Sequence, residues 1–199
     1  MKILSVVAMA AVAGFGGQTA QANENERKLT VYITNEHFAM PASNFAKDQA
    51  AKMFAKIGVI VEWRSAGRGH LPLDAIVVDI VEEQTSECGG ALACALPYEG
   101  VHIRVFYNRF PATVAQNAIP GLLAHVLVHE ITHILQGTVR HSESGVMKAK
   151  WSGQDFIQME HKPLQFTEHD VILIKGGMEQ RAARLEARRL MATNFGTAR

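Results

Sequence analysis

The sequence has no excess of charge of either sign and no internal repeat. Its 20 Lys and Arg residues balance 19 Asp and Glu residues, which leaves a formal net charge of +1. A near-neutral chain gives no reason to expect a nucleic-acid partner, because such partners select for basic surfaces. The absence of repeats and low-complexity segments argues against a solenoid or a linker-rich assembly. The 199 residues, 48% of them hydrophobic, fit one domain with a single core.

Cysteine is scarce, with only Cys88 and Cys94 in the whole chain. Two cysteines are too few for a structural zinc site with four ligands, although a pair of metal-binding thiolates is the alternative interpretation. In an oxidising compartment, two cysteines so close in the chain are expected to close a small disulfide loop. We therefore predict a Cys88–Cys94 disulfide.

The N-terminal apolar run is too short to cross a membrane. Ile3–Gly17 follows the positive Lys2 and precedes Ala20-Gln21-Ala22. A spanning helix needs ~20 apolar residues, whereas a short run followed by small residues is typical of a signal peptide. We predict a signal peptide over residues 1–22, cleavage after Ala22, and export to the periplasm or the cell exterior. An uncleaved anchor is the alternative, and no cysteine follows the run to carry a lipid.

Residues 23–177 are predicted to form one folded domain. Alternating β-branched residues predict strands, and apolar residues at helical spacing predict helices. The predicted strands are residues 29–34, 59–63, 75–81 and 101–107. The predicted helices run from Ser43 or Asn44 to Ile57, from 111 or 113 to Gln136 with a break or fresh start near Pro120, and from Thr167 to 176–177.

The remaining segments are predicted to be less regular. Residues 84–100 contain Pro97 and indicate an edge strand or an irregular segment, and residues 138–165 indicate a loop. Residues 178–199 form a tail rich in arginine, predicted to be helical or disordered, to which we assign no function. A membrane-binding or nucleic-acid-binding arm is the alternative for this tail.

Two histidines and a glutamate in the long apolar helix indicate metal chemistry. His129 and His133 are four residues apart, so a helix places both side chains on one face, one turn apart. This spacing lets both imidazoles bind one Zn²⁺, and the adjacent Glu130 can reach a water there without binding the metal itself. Such histidines can also be ordinary core or surface groups. The residues that follow favour the metal, because Gly137 can turn the chain back and bring His141 towards a third position.

The segment HEITHILQGTVRHSESGVM, residues 129–147, resembles the metzincin clan of zinc endopeptidases, and within it the matrixin-like branch. The resemblance implies one catalytic Zn²⁺ held by His129, His133 and His141, with Glu130 as the general base. It implies that Met147 lies beneath the metal. It also implies an α+β fold with a small twisted mixed sheet, two long helices and a C-terminal helix, and a peptide or protein substrate extended along an edge strand within residues 91–100.

The spacing departs from the clan pattern HExxHxxGxxH. One extra residue precedes Gly137, and another lies between Gly137 and His141. The acidic alternatives for the third ligand are Glu143, Asp155 and Glu160, which would imply a thermolysin-like arrangement. The clan's latency cysteine has no counterpart before the first predicted strand.

His125, Met147 and Trp151 each have two interpretations, of which Met147 has the one given above and that of an ordinary core residue. His125 lies one turn before His129 and either contacts a zinc ligand or simply packs in the core. Trp151 either shapes a specificity pocket or packs in a loop, while His161 and His169 are interpreted as surface residues.

The sequence as a whole predicts a secreted zinc-dependent endopeptidase. Two rivals remain: an exported zinc-binding interaction domain without turnover, and a zinc amidohydrolase acting on a non-peptide amide. No oligomeric state is predicted.

Overall fold

The computed structural model describes residues 28–34, 40–67, 70–72, 74–82, 87–96 and 101–196. The predicted signal peptide and its cleavage site lie outside these residues. The strands are β1 (Lys28–Thr34), β2 (Ile60–Ser65), β3 (Ile76–Val81), β4 (Ala93–Ala95) and β5 (His102–Phe106). The α-helices are α1 (Met40–Ala55), α2 (Ile119–Gln136), α3 (Gly153–His161) and α4 (Glu168–Gly196).

The five strands form one mixed sheet in the order β2-β1-β3-β5-β4. The first four in this order are parallel, and β4 pairs antiparallel with β5 at the edge. In β1 and β3 fully buried residues alternate with half-buried ones, because successive side chains point to opposite faces of a strand. The predicted α+β fold with a small mixed sheet is confirmed.

Helix α2 is central to the packing, since it contacts α1, α3, α4, β4 and β5. Its residues from Leu122 to Leu135 are all buried. On α1 the buried apolar residues are Ala46, Ala50, Met53 and Phe54, which recur at helical spacing and face the core. The site-bearing helix is therefore held on several sides by apolar packing.

One predicted helix start is wrong, while both helix ends are close. Helix α1 begins at Met40, before the predicted Ser43 or Asn44, and ends at Ala55, three residues before Gly58, whose φ is +82°. Helix α2 begins at Ile119, which confirms the predicted fresh start near Pro120 and not a continuous helix from 111 or 113, because Pro120 fits the first turn, where no N–H partner is needed. It ends as predicted at Gly137, with φ of 64° and an N–H donated to the His133 carbonyl.

The predicted loop over residues 138–165 contains a helix, α3. Ser152 caps it by accepting from the N–H of Asp155, whose carboxylate in turn accepts from the N–H of Ser152. This reciprocal capping has a sequence signature, serine followed three residues later by an acidic residue. The glycine and proline near the two ends of α3, Gly153 and Pro163, had indicated a loop.

The final helix does not end at Gly176 or Gly177. Thr167 caps α4 as predicted, because its hydroxyl accepts from the N–H of Asp170, but the helix continues to Gly196. Residues 178–196 of the predicted tail are thus helical, and the proposed domain limit at residue 177 stays a prediction.

The predicted disulfide is present between Cys88 and Cys94. It joins a short turn, Glu87–Gly90, in which Cys88 and Gly89 have positive φ, to strand β4. Across the described ranges, no helix combines the length and apolarity that a bilayer crossing demands.

Candidate metal centre

The two histidines of α2 converge on one point. His129 and His133 are 8% and 6% exposed, and their Nε2 atoms lie 3.0 Å apart. The spacing of four residues explains this convergence, because one helical turn separates the side chains along a common face. Most of the other residues of α2 are apolar, and His129, Glu130 and His133 are the polar side chains that this helix contributes to the cleft.

Backbone carbonyls fix the tautomer of both rings. Nδ1 of His129 lies 2.9 Å from the Val146 carbonyl oxygen, and Nδ1 of His133 lies 2.9 Å from that of Thr138. A carbonyl oxygen only accepts, so each Nδ1 carries the proton and donates it. Each Nε2 therefore keeps its lone pair, and the two lone pairs face each other across 3.0 Å.

His141 completes a group of three imidazoles. Its ring centroid lies 5.3 Å from that of His129 and 4.9 Å from that of His133. One ligand nitrogen from each residue can be chosen so that all three atoms lie within 4.8 Å of one another. One of the two additional residues in the spacing lengthens α2 before Gly137, and the other lies in the loop after Gly137, which still brings His141 back to α2.

The acidic alternatives lie elsewhere. Asp155 pairs with Lys148 and caps α3, while the side chains of Glu143 and Glu160 are exposed. In the described part of the chain, the group of three or more potential ligands is the one made by the histidines.

The electrostatic environment keeps these imidazoles neutral. The pKa of His129 is lowered to about 4, chiefly by burial and also by the neighbouring His133 and His141, against the opposing effects of the Val146 carbonyl and of Asp170. Burial also lowers the pKa of His133 and of His141. Since a metal binds only the neutral ring, protons compete weakly for these nitrogens near neutral pH.

Glu130 lies beside the histidines but outside the ligand group. It is 8% exposed, and burial raises its pKa to about 7, while a hydrogen bond from the backbone N–H of Ala95 acts in the opposite direction. A dication held by the three imidazoles would attract the carboxylate and lower this pKa. A carboxyl group with a pKa near neutrality can both take up and release a proton.

A cleft of about 700 Å³ opens in front of the histidines and Glu130. The edge strand β4 forms one wall, and residues 148–151 form part of another. Leu96 donates to the His102 carbonyl and Phe106 donates to the Leu92 carbonyl, so the even-numbered residues of this edge face β5. The backbone groups of Ala93 and Ala95 consequently point away from β5, on the free side of the sheet.

The donor set suits zinc. Two lone pairs 3.0 Å apart repel each other unless a cation lies between them, and the two carbonyls prevent either ring from turning its N–H inward. Three neutral imidazoles with a neighbouring unbound carboxylate are a ligand set typical of a catalytic zinc site. The three histidines therefore form a site that could hold one zinc ion.

Sequence reasoning missed the backbone groups that orient the site. The carbonyls of Thr138 and Val146 and the N–H of Ala95 carry no side-chain signature, so no sequence signal could have identified them. Trp151 was considered and lies in the cleft wall, with its ring edge-on to His129 at 5.6 Å between centroids.

His125 packs as a core residue. Its Nδ1 donates to the Gly121 carbonyl at 2.7 Å, and its Nε2 accepts from the N–H of Leu164 at 3.0 Å. Both ring nitrogens are therefore used within the protein, and His125 makes no hydrogen bond to the three converging histidines.

The fold is similar to that of a solved structure, archaemetzincin from Methanopyrus kandleri. The TM-score is 0.55 at 14% sequence identity, and the match covers 76% of this chain and 95% of archaemetzincin. No protein-family profile and no curated protein sequence matches the chain. The chain therefore has an archaemetzincin-like, α+β fold whose cleft contains a three-histidine group able to hold zinc.

Proposed function

We propose that this protein is a zinc-dependent endopeptidase, with His129, His133 and His141 as zinc ligands. The observation that carries the proposal is the convergence of the Nε2 lone pairs of His129 and His133, held in place by two backbone carbonyls. The likeness of fold to archaemetzincin supports the same conclusion.

Glu130 is the proposed general base. A zinc ion in this site would polarise a substrate carbonyl and lower the pKa of water. Glu130 takes the proton from the attacking water and then delivers it to the leaving amine. Its burial, which raises its pKa to about 7, supports both transfers. The hydrogen bond from the Ala95 N–H orients the carboxylate of Glu130.

The proposed substrate is an extended peptide lying along β4. The outward-facing backbone groups of Ala93 and the outward-facing carbonyl of Ala95 offer main-chain hydrogen bonds to such a strand, while the Ala95 N–H is bonded to Glu130. Trp151 also lines the cleft, and its Nε1 is buried and has no hydrogen-bond partner among the described residues.

The matrixin-like branch is the proposed affiliation within the clan. Gly137 ends the zinc helix in a left-handed turn, and Met147 is fully buried directly after Val146, whose carbonyl orients His129. In this chain these features occur together with a spacing between His133 and His141 that is two residues longer than in the clan pattern.

Export is also part of the proposal. The sequence of residues 1–22 has the features of a signal peptide, and the Cys88–Cys94 disulfide fits an oxidising compartment. The proposed mature protein begins after Ala22 and acts in the periplasm or outside the cell.

Cleavage of a mixed peptide library tests the function. We expect the purified mature protein to bind one zinc ion and to cleave internal peptide bonds, with activity lost on chelation and restored by zinc. Glu130→Gln should reduce kcat/KM by about 100-fold or more while leaving the zinc content unchanged, because it removes the base and no ligand.

A matched variant separates this effect from a general loss of charge. Glu179→Gln removes an exposed carboxylate on α4, far along the chain from the cleft, and should leave activity unchanged. One bound zinc without cleavage of any peptide would support the interaction domain instead. Cleavage confined to non-peptide amides would support the amidohydrolase.

A further inference from the structure

The loop that carries His141 is tied down on both sides of that residue. Arg140 Nη1 lies 3.0 Å from Asp170 Oδ1, and the Ser142 hydroxyl donates to the same oxygen at 2.7 Å. Asp170 is 0% exposed, whereas the His141 side chain is exposed. The carboxylate therefore fixes the residues immediately before and after a ligand that has little packing of its own.

The other oxygen of Asp170 is used differently. Oδ2 accepts from the Thr167 N–H at 3.0 Å and from the Thr167 hydroxyl at 2.7 Å, which caps α4. One side chain thus links two structures: Oδ1 holds the His141 loop, and Oδ2 holds the first turn of α4.

Helix α4 in turn packs on the helix that carries the other two histidines. Gly177 of α4 lies so close to α2 that a Cβ there would be 1.6 Å from the Leu135 carbonyl oxygen. The His141 loop is therefore connected, through Asp170 and α4, to α2, the helix that carries His129 and His133.

We propose that Asp170 is a positioning residue that holds His141 in place to complete the three-histidine metal site. This inference rests on the proposed zinc site. Without Asp170 the loop would sample other conformations, and binding a metal would have to restrict them again, which weakens affinity. Removing groups that orient a ligand typically weakens metal binding by about 10- to 100-fold.

A double-mutant cycle on zinc affinity tests the inference. The dissociation constant is measured by competition with a chromophoric chelator for the wild type, Asp170→Asn, His141→Ala and the double variant. We expect Asp170→Asn to weaken zinc binding by about 10-fold in the wild-type background and to have no effect when His141 is already absent. Equal weakening in both backgrounds, or no weakening in either, would overturn the inference.

Thr167→Ala supplies the matched control. It removes the hydroxyl contact to Oδ2 and the hydroxyl cap of α4 while leaving the backbone N–H contact to Oδ2 and both contacts to Oδ1, so it should lower the Tm without changing zinc affinity. If Thr167→Ala weakens zinc binding as much as Asp170→Asn does, Asp170 acts only through general stability and the inference fails.

Two milder variants decide the question if Asp170→Asn does not fold. Ser142→Ala and Arg140→Met each remove one contact to Oδ1 and keep the α4 cap. Each should weaken zinc binding in the wild-type background and not in His141→Ala. A wild type that binds no zinc would refute the proposed function itself. If His141→Ala binds zinc weakly while all the variants that remove contacts to Asp170 bind it as tightly as the wild type, only this inference is refuted.

Discussion

At the residue scale, His125 and His129 are two buried histidines, one turn apart on α2, that differ in their hydrogen bonds. Both lie on the same face of the helix, and burial lowers the pKa of each. Both nitrogens of His125 are hydrogen-bonded within the protein, but only Nδ1 of His129 has a backbone partner. The difference in hydrogen bonding, and not in burial, decides which imidazole can serve a metal.

Replacing each histidine with leucine distinguishes the two roles. His125→Leu should lower the free energy of unfolding by about 1–3 kcal/mol, because the Leu164 N–H and the Gly121 carbonyl lose their partner. Its zinc content should be unchanged, whereas His129→Leu should lose zinc. Denaturant unfolding and elemental analysis measure the two quantities. Loss of zinc in His125→Leu without loss of stability would show that His125 serves the metal site.

At the scale of elements, the contact between α2 and α4 depends on one glycine of a pair. A Cβ at Gly177 would collide with the backbone of Leu135 and Gln136, while one at Gly176 would have no atom within 4 Å. The pair resembles a helix terminator in the sequence, but in the structure one glycine allows the two helix backbones to approach.

Alanine at each glycine tests this interpretation. Gly177→Ala should lower the free energy of unfolding by more than about 2 kcal/mol, because the Leu135 carbonyl cannot move without displacing α2. Gly176→Ala should raise it by up to about 1 kcal/mol through helix propensity. Urea unfolding of both variants gives the comparison, and equal stability of the two would contradict the close approach.

The Asp170 link between α4 and the His141 loop should show in the pH dependence of stability. Burial alone would raise the pKa of Asp170, but hydrogen bonds from Ser142, Thr167 and Arg140 outweigh burial and hold the pKa below its ordinary value. Because the pKa is lower in the folded state, the stabilisation of the fold by the ionised Asp170 carboxylate is complete above the unfolded-state pKa of ~3.9. It is lost as the pH falls through the folded-state pKa.

The wild type should therefore be more stable than Asp170→Asn at pH 7, and this advantage should shrink as the pH falls below about 4. Urea unfolding at pH 7, 4 and 3, with chelator present throughout, measures the difference. A stability difference that is the same at all three values would indicate that the carboxylate is not held by these hydrogen bonds.

At the scale of the whole molecule, the proposed ligands come from two parts of the chain that only the fold brings together. His129 and His133 lie on α2, and His141 lies on the loop that α4 anchors. Zinc bound by all three would stabilise the folded state over an unfolded chain that has no such site.

Unfolding temperature should consequently depend on free zinc. At a free zinc concentration 100 times the dissociation constant, the gain is about 2.7 kcal/mol. For a domain of this size, that gain corresponds to a Tm increase of about 5–10 °C. Calorimetry with zinc, with chelator and with His141→Ala measures the effect. A Tm that chelation leaves unchanged while zinc is removed would show that the metal does not link these segments.

The sequence by itself determined the features that depend on neighbours within a few residues. Local spacing explains the alternating burial in β1 and β3 and the Cys88–Cys94 disulfide loop. It also explains why His129 and His133 share one face of α2 and why that helix ends at Gly137. Helix α3 was equally local, since Ser152 and Asp155 carry its capping signature, and was overlooked.

The tertiary structure alone decided what depends on distant segments. The route of the loop after Gly137 sets whether His141 reaches α2, and Asp170, 28 residues beyond Ser142, holds that loop. In the sequence Gly177 predicts a helix end. In the structure it allows the backbone of α4 to lie close to Leu135 of α2. Spacing along a helix fixes which residues share a face. Contacts between segments far apart in the chain depend on how helices and loops pack, which spacing in the sequence does not encode.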